Sequence, residues 1–141
     1  DDQWTHKFGG ANGVLTYNGA NITDDKTLAP GTYTLIVNLA KGTYCIAGEQ
    51  LYVAGINDVW DFSSMVLPQT APGIYTGPVT VSANTPWGYY FLLFADNWDI
   101  KLGGSEDALI YSGENITSDW YASMGTYTMT VNLMNRTCTI D

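Results

Sequence analysis

Positive charge is what this chain has least of. Only 5 of its 141 residues are Lys or Arg, against 14 Asp and Glu, for a net charge of −9 at pH 7. Nucleic acids and anionic membranes call for a basic surface, so neither is expected as a partner. A neutral ligand such as a sugar is untouched by that argument. Histidine occurs once, at His6, and no Cys and His spacing of a metal site appears. Asp58 and Asp61 lack the full ligand series of a calcium site, and no cofactor is expected. The two cysteines, Cys45 and Cys138, read as small buried residues; a disulfide also needs an oxidising compartment and the right strand approach. No apolar run nears membrane-spanning length, no signal peptide opens the chain, and no long stretch has helical periodicity.

What the chain does have is strand patterning around one central stretch, Trp87 to Gly104 (WGYYFLLFADNWDIKLGG). Tyr89 to Phe94 is a short aromatic and aliphatic run, the pattern of a buried strand. Asp96-Asn97 is turn chemistry, because both side chains bond local backbone. Trp98 follows at once, on a turn beside a core strand. Packing only partly needs it there, so its indole face is open to something flat and apolar.

The segment that begins at Trp98 occurs twice. Trp4 to Ile46 and Trp98 to Ile140 align without a gap at a constant offset of 94 residues. Lys7/Lys101, Gly9-Gly10/Gly103-Gly104, Leu15/Leu109 and Asn21-Ile22-Thr23/Asn115-Ile116-Thr117 match, as do Gly31 to Thr34 with Gly125 to Thr128 and Val37-Asn38-Leu39 with Val131-Asn132-Leu133. A gapless match of this length marks one structural unit used twice. Residues 48–141 are expected to hold the complete unit, and residues 1–47 the C-terminal half of a preceding one.

Strands are expected at Lys7-Phe8, Val14 to Tyr17, Thr32 to Leu39, Thr43 to Ile46, Leu51 to Ala54, Gly73 to Val81, Tyr89 to Phe94, Thr126 to Leu133 and Thr137 to Ile140. Gly55 to Pro68 reads as a loop. Gly77-Pro78 marks its strand as bulged or at an edge. Short strands with Gly, Pro and Asn punctuation predict an all-β, immunoglobulin-like antiparallel sandwich. The half unit lacks the strands that would cover Leu15, Tyr33, Leu35, Val37 and Leu39. Its face is expected to be covered either by the complete unit or by a second molecule; the short linker Ala47 to Gln50 favours a dimer through residues 1–47.

Five tryptophans in so small an acidic chain need a use. Trp98 sits on a turn and Trp60 in a loop of Gly, Asn and Asp. Trp120-Tyr121 stands where the first copy has Lys26-Thr27, so the fold itself does not require that pair. Sugar rings explain such a set: a pyranose offers a flat C–H patch to an indole, and its hydroxyls want Asn, Asp, Lys or Arg. Nothing distinguishes a catalytic carboxylate pair among the acidic residues, so no enzyme is expected.

The order Leu51 to Gly55 (LYVAG), Trp60, Gly73-Ile74-Tyr75, YYFLLFADNW and Gly113 to Ile116 (GENI) resembles the starch-binding units of SusE- and SusF-type surface lipoproteins of Bacteroidetes, and is similar to glycogen-binding modules. The resemblance implies a starch-binding-module sandwich at the outer-membrane surface. It would bind a polysaccharide or oligosaccharide without catalysis, beside other parts of a glycan-uptake complex; a spacer or protein-contact module of such a lipoprotein is the alternative. Trp60 and Trp98 would stack on glucose, and Asn115 would bond hydroxyls. Glycogen-binding modules carry a lysine inside the central strand where this chain has Leu92, and Lys101 is its candidate replacement. Trp120 and Tyr121 complete the set.

Overall fold

The computed structural model describes residues 4, 6–23, 28, 31–62, 65–82, 88–93, 98–117 and 123–141. Among these, twelve strands form two antiparallel sheets. The first holds β1 (Phe8–Ala11), β2 (Val14–Tyr17), β3 (Thr34–Asn38) and β4 (Thr43–Ala47) in the order β1-β2-β4-β3. The second holds β5 (Gln50–Ala54), β6 (Val66–Ala71), β7 (Ile74–Val81), β8 (Tyr90–Leu92), β9 (Lys101–Ser105), β10 (Ala108–Tyr111), β11 (Gly125–Asn132) and β12 (Thr137–Ile140) in the order β10-β9-β8-β5-β6-β7-β11-β12.

The second sheet curls until its ends meet. Leu109 N–H donates to the Arg136 carbonyl at 2.8 Å, and Cys138 N–H to that of Glu106 at 2.7 Å, so β10 bonds β12. The result is an all-β sandwich with a closed hydrophobic interior. Period-two alternation fills it. Tyr75, Val79 and Val81 of β7 point inward, as do Met129 and Val131 of β11 and Phe91 of β8.

The repeat holds at the level of single hydrogen bonds. Gly104 N–H to Glu114 O is matched by Gly10 to Ala20, and Ser112 to Lys101 by Asn18 to Lys7. Asn135 N–H donates to Asn132 Oδ1 at 3.0 Å, and its equivalent Lys41 N–H to Asn38 Oδ1 at 3.0 Å. The order β1-β2-β4-β3 therefore reproduces β9-β10-β12-β11.

Three expectations need correction. Residues 66–68, expected in the Gly55 to Pro68 loop, instead open strand β6. Pro68 hid it, because proline cannot donate to a ladder and argues against an interior strand. Second, of the two expectations for Gly77-Pro78, the bulge is absent from the β7–β11 ladder, while the edge holds locally, because Pro78 has a ladder partner only in β11. β7 pairs with β11 in unbroken register through both residues, and the irregularity falls between Gln69 and Ala71 of β6. β6 pairs with β7 only at Ile74 and Tyr75, so no ladder bond is asked of Pro78 on that side.

The third correction concerns the half unit. It does pack on the complete unit, but through its other face. Ile36, Cys45 and Ala47 are buried there, and a Cβ on Gly73 would lie 3.1 Å from Ile36 Cγ1. The Arg136 guanidinium donates to the Gly13 and Tyr44 carbonyls at 2.6 and 2.9 Å, and Lys41 Nζ to the Asn135 carbonyl at 2.9 Å. Leu35, Val37 and Leu39 are exposed, while Leu15 and Tyr33 are half-buried. The repeat itself carried the signal. Ile36, Cys45 and Ala47 stand where the complete unit has Thr130, Thr139 and Asp141, so the outer face is apolar only in the half unit. Burying one such Ile contributes about 1.5–3 kcal/mol.

Candidate functional site

Trp60 is placed by a short loop with a fixed shape. Gly55 has φ 103°, and a Cβ there would lie 2.6 Å from the Gly88 carbonyl and 3.0 Å from the Trp60 ring. Only glycine allows both that backbone and that close approach. A 3-10 turn over Ile56–Asp58 follows, with Ile56 fully buried as its anchor. Asn57 ties the loop to the end of β7: its Nδ2 donates to the Thr80 carbonyl at 2.8 Å, and its Oδ1 accepts from Ser82 N–H at 2.7 Å. The Trp60 indole N–H donates to Asp58 Oδ1 at 2.8 Å. Asp58 thereby holds the orientation of the Trp60 ring.

Trp98 lies ahead of β9, two residues before Ile100, which is buried and accepts from Leu93 N–H at 3.3 Å. The two tryptophans meet. Their ring centroids are 6.4 Å apart with planes tilted 40°. Phe62 lies 5.6 Å from Trp98, and Tyr52 stands edge-on to Phe62 at 6.3 Å. Four aromatics therefore run in sequence, Trp60, Trp98, Phe62 and Tyr52. Trp60 is 38% exposed and Trp98 37%; Phe62 and Tyr52 are half-buried.

The strands beside this run carry the polar candidates. Leu92 pairs with Tyr52 on one side and with Lys101 on the other. Directly paired residues share a sheet face, so Tyr52, Leu92 and Lys101 form one row on the side opposite Phe91 and Leu93, with Leu92 itself fully buried between its two half-buried neighbours. Lys101 is thus the cross-strand neighbour of Leu92, one strand over from the position a central-strand lysine would take. Asn115 precedes Ile116, whose backbone bridges Tyr89. It lies near the far end of β8, about 10 Å along the strand from the Lys101 row at ~3.4 Å per residue. Lys101 and Asn115 are both half-buried. Trp120 and Tyr121, like Asp96-Asn97, lie outside the described residues.

Two site residues escaped the sequence argument. Phe62 carries no local signal, because its place beside Trp98 depends on a contact 36 positions away in sequence. Tyr52 was legible: Leu51 and Val53 face the core, so Tyr52 must face out. A cleft of about 240 Å3 adjoins it, lined by Gly31, Thr32, Tyr33, Gly48, Glu49, Gln50, Tyr52 and Leu93. The half unit therefore supplies part of a wall beside the aromatic run.

Nucleophilic chemistry has no support at the buried cysteines. Cys45 sits between the two units, where the Tyr111 hydroxyl donates to its sulfur at 3.6 Å. Burial pushes its thiol up to about 11 and that of Cys138 to about 12. Burial likewise raises the Tyr75 and Tyr111 hydroxyls. A thiol kept protonated is a poor nucleophile. Among the described residues, no three His, Cys, Asp or Glu side chains gather as a metal site. Comparison of the chain with protein-family models, with curated proteins and with solved structures gives no match.

Proposed function

We propose that this chain is a non-catalytic glycan-binding module of a bacterial cell surface, with an α-glucan or related glycan as ligand. The observation that carries the reading is the meeting of Trp60 and Trp98, 38 positions apart in sequence, as two exposed rings 6.4 Å apart. Two adjacent indole faces match two successive sugar rings, each presenting its C–H patch. The 40° tilt between them suits a chain that turns from one residue to the next, as α-linked glucans do, better than a flat ribbon. Lys101 and Asn115 are the hydroxyl partners. The −9 charge is no obstacle to an uncharged ligand.

Calorimetric titration with amylose-type oligosaccharides, glycogen and a panel of β-glucans tests this. Weak binding to one class is expected, between about micromolar and millimolar, or roughly −8 to −4 kcal/mol. Trp98→Ala and Trp60→Ala remove it while the melting curve stays cooperative, and no reducing sugar is released. Absence of binding across the whole panel leaves the second reading, a structural or protein-contact module, which the exposed apolar sheet of the half unit favours.

A further inference from the structure

The half unit leaves much of its inner face exposed, although Tyr44, paired with Val37 on that face, is buried. Phe8, Leu35 and Leu39 are exposed by 53%, 60% and 63%. Their repeat equivalents Leu102, Met129 and Leu133 are exposed by 0%, 0% and 2%. Both edges of the small sheet are open as well: among the described residues, β1 pairs only with β2, and β3 only with β4. The complete unit displays what belongs on such a sheet. There the β3 equivalent, β11, pairs with β7 from Gly125↔Val81 to Asn132↔Ile74, and the β1 equivalent, β9, pairs with β8.

We infer that the exposed face of residues 8–47 is a strand-acceptor surface for a front half unit, a four-strand polypeptide of the same kind as Gln50–Leu92 lying outside residues 1–141. It binds by adding one strand to the β3 edge in the β7 register and another to the β1 edge. Inward Tyr, Val and Phe side chains cover Phe8, Leu35, Val37 and Leu39. Edge pairing supplies main-chain bonds, and the apolar face supplies burial.

A second copy of this chain fits the face less well. Stacked sheets would leave both edges open. Each copy also carries −9, and like net charges repel.

The test places a duplicate of residues 48–94 directly ahead of Asp1, which keeps the offset of 94. The original and extended chains are compared by binding of a hydrophobic dye, by light scattering and by amide exchange in β3. The extended chain is expected to stay monomeric, to lose most dye binding and to slow β3 exchange by roughly tenfold or more. Leu35→Asp reverses those gains in the extended chain and leaves the stability of the original unchanged. Dye binding and β3 exchange that match the original chain overturn the inference. So does a stable dimer of the original chain that Leu35→Asp dissociates, since that places a second copy on the face.

Discussion

Leu35 and Met129 hold the same position in the same strand of the same repeat, yet Leu35 is 60% exposed and Met129 is fully buried. Ile36 and Thr130, one position further on, are reversed: Ile36 is 5% exposed, and Thr130, half-buried, stands on the outer side. One strand pattern therefore serves two burial schemes. In the complete unit β5–β8 close over the inner face. In the half unit no such strands lie over that face among the described residues, and the outer face has gained Ile36, Cys45 and Ala47 to pack on its neighbour. Inner-face residues stayed apolar in both copies, whereas the outer face changed with what it touches.

Paired substitutions break this comparison most sharply. Met129→Ala should cost about 2–5 kcal/mol in urea unfolding, while Leu35→Ala should stay within ~0.5 kcal/mol. Equal losses at the two positions would mean that the half unit's inner face is covered after all.

Alkaline titration separates the seam from the interior. Cys45 lies between the units and Cys138 inside the complete one, and burial raises both thiols, to about 11 and about 12. A thiol held protonated by folding contributes stability below its ordinary value of 9.0. That contribution declines as pH rises through the window from 9.0 to the folded value. Each thiol should lower stability by about 1.4 kcal/mol per pH unit inside its window. In Cys45→Ala the seam's share disappears, and the loss above pH 11 that remains belongs to Cys138 and the buried tyrosines.

Exchanging outer-face residues between copies gives a smaller effect. Ile36→Thr installs the complete unit's residue and should cost about 1–3 kcal/mol, because it removes buried carbon and buries a hydroxyl. Thr130→Ile should be near neutral. Hydrogen exchange should show the Ile36→Thr loss concentrated in β1–β4.

The smallest expected stability change compares the two repeated tryptophans. Trp4 is 73% exposed and Trp98 is 37% exposed against Trp60 and Phe62. Trp4→Ala should leave both stability and glycan titration unchanged. Trp98→Ala should cost roughly 0.5–1.5 kcal/mol from lost aromatic pairing and abolish binding.

Much of the fold could be read in advance where local rules suffice. Val14 to Tyr17 and Thr137 to Ile140 are strands with the expected bounds, because alternation and turn residues mark them. β6 was lost because Pro68 outweighed the flanking Val66-Leu67. Trp60 and Trp98 were nameable singly, but their meeting depends on Gly55, Asn57 and the end of β7, which no short window contains. Phe62 and Tyr52 join them for the same long-range reason.

The sequence by itself determined the strands, the repeat and the inward set of the complete unit, since a side-chain period of two and a gapless offset are properties of the chain alone. Only the tertiary structure decided which face of the half unit is buried. Both faces of β3 carry large apolar residues, Leu35 and Val37 on one side and Ile36 on the other, so periodicity cannot choose between them. The choice falls to Ile36, Cys45 and Ala47, which find Gly73, Tyr111 and Arg136 across the seam. On the opposite face Tyr44 is buried, while Leu35, Val37 and Leu39 stay exposed.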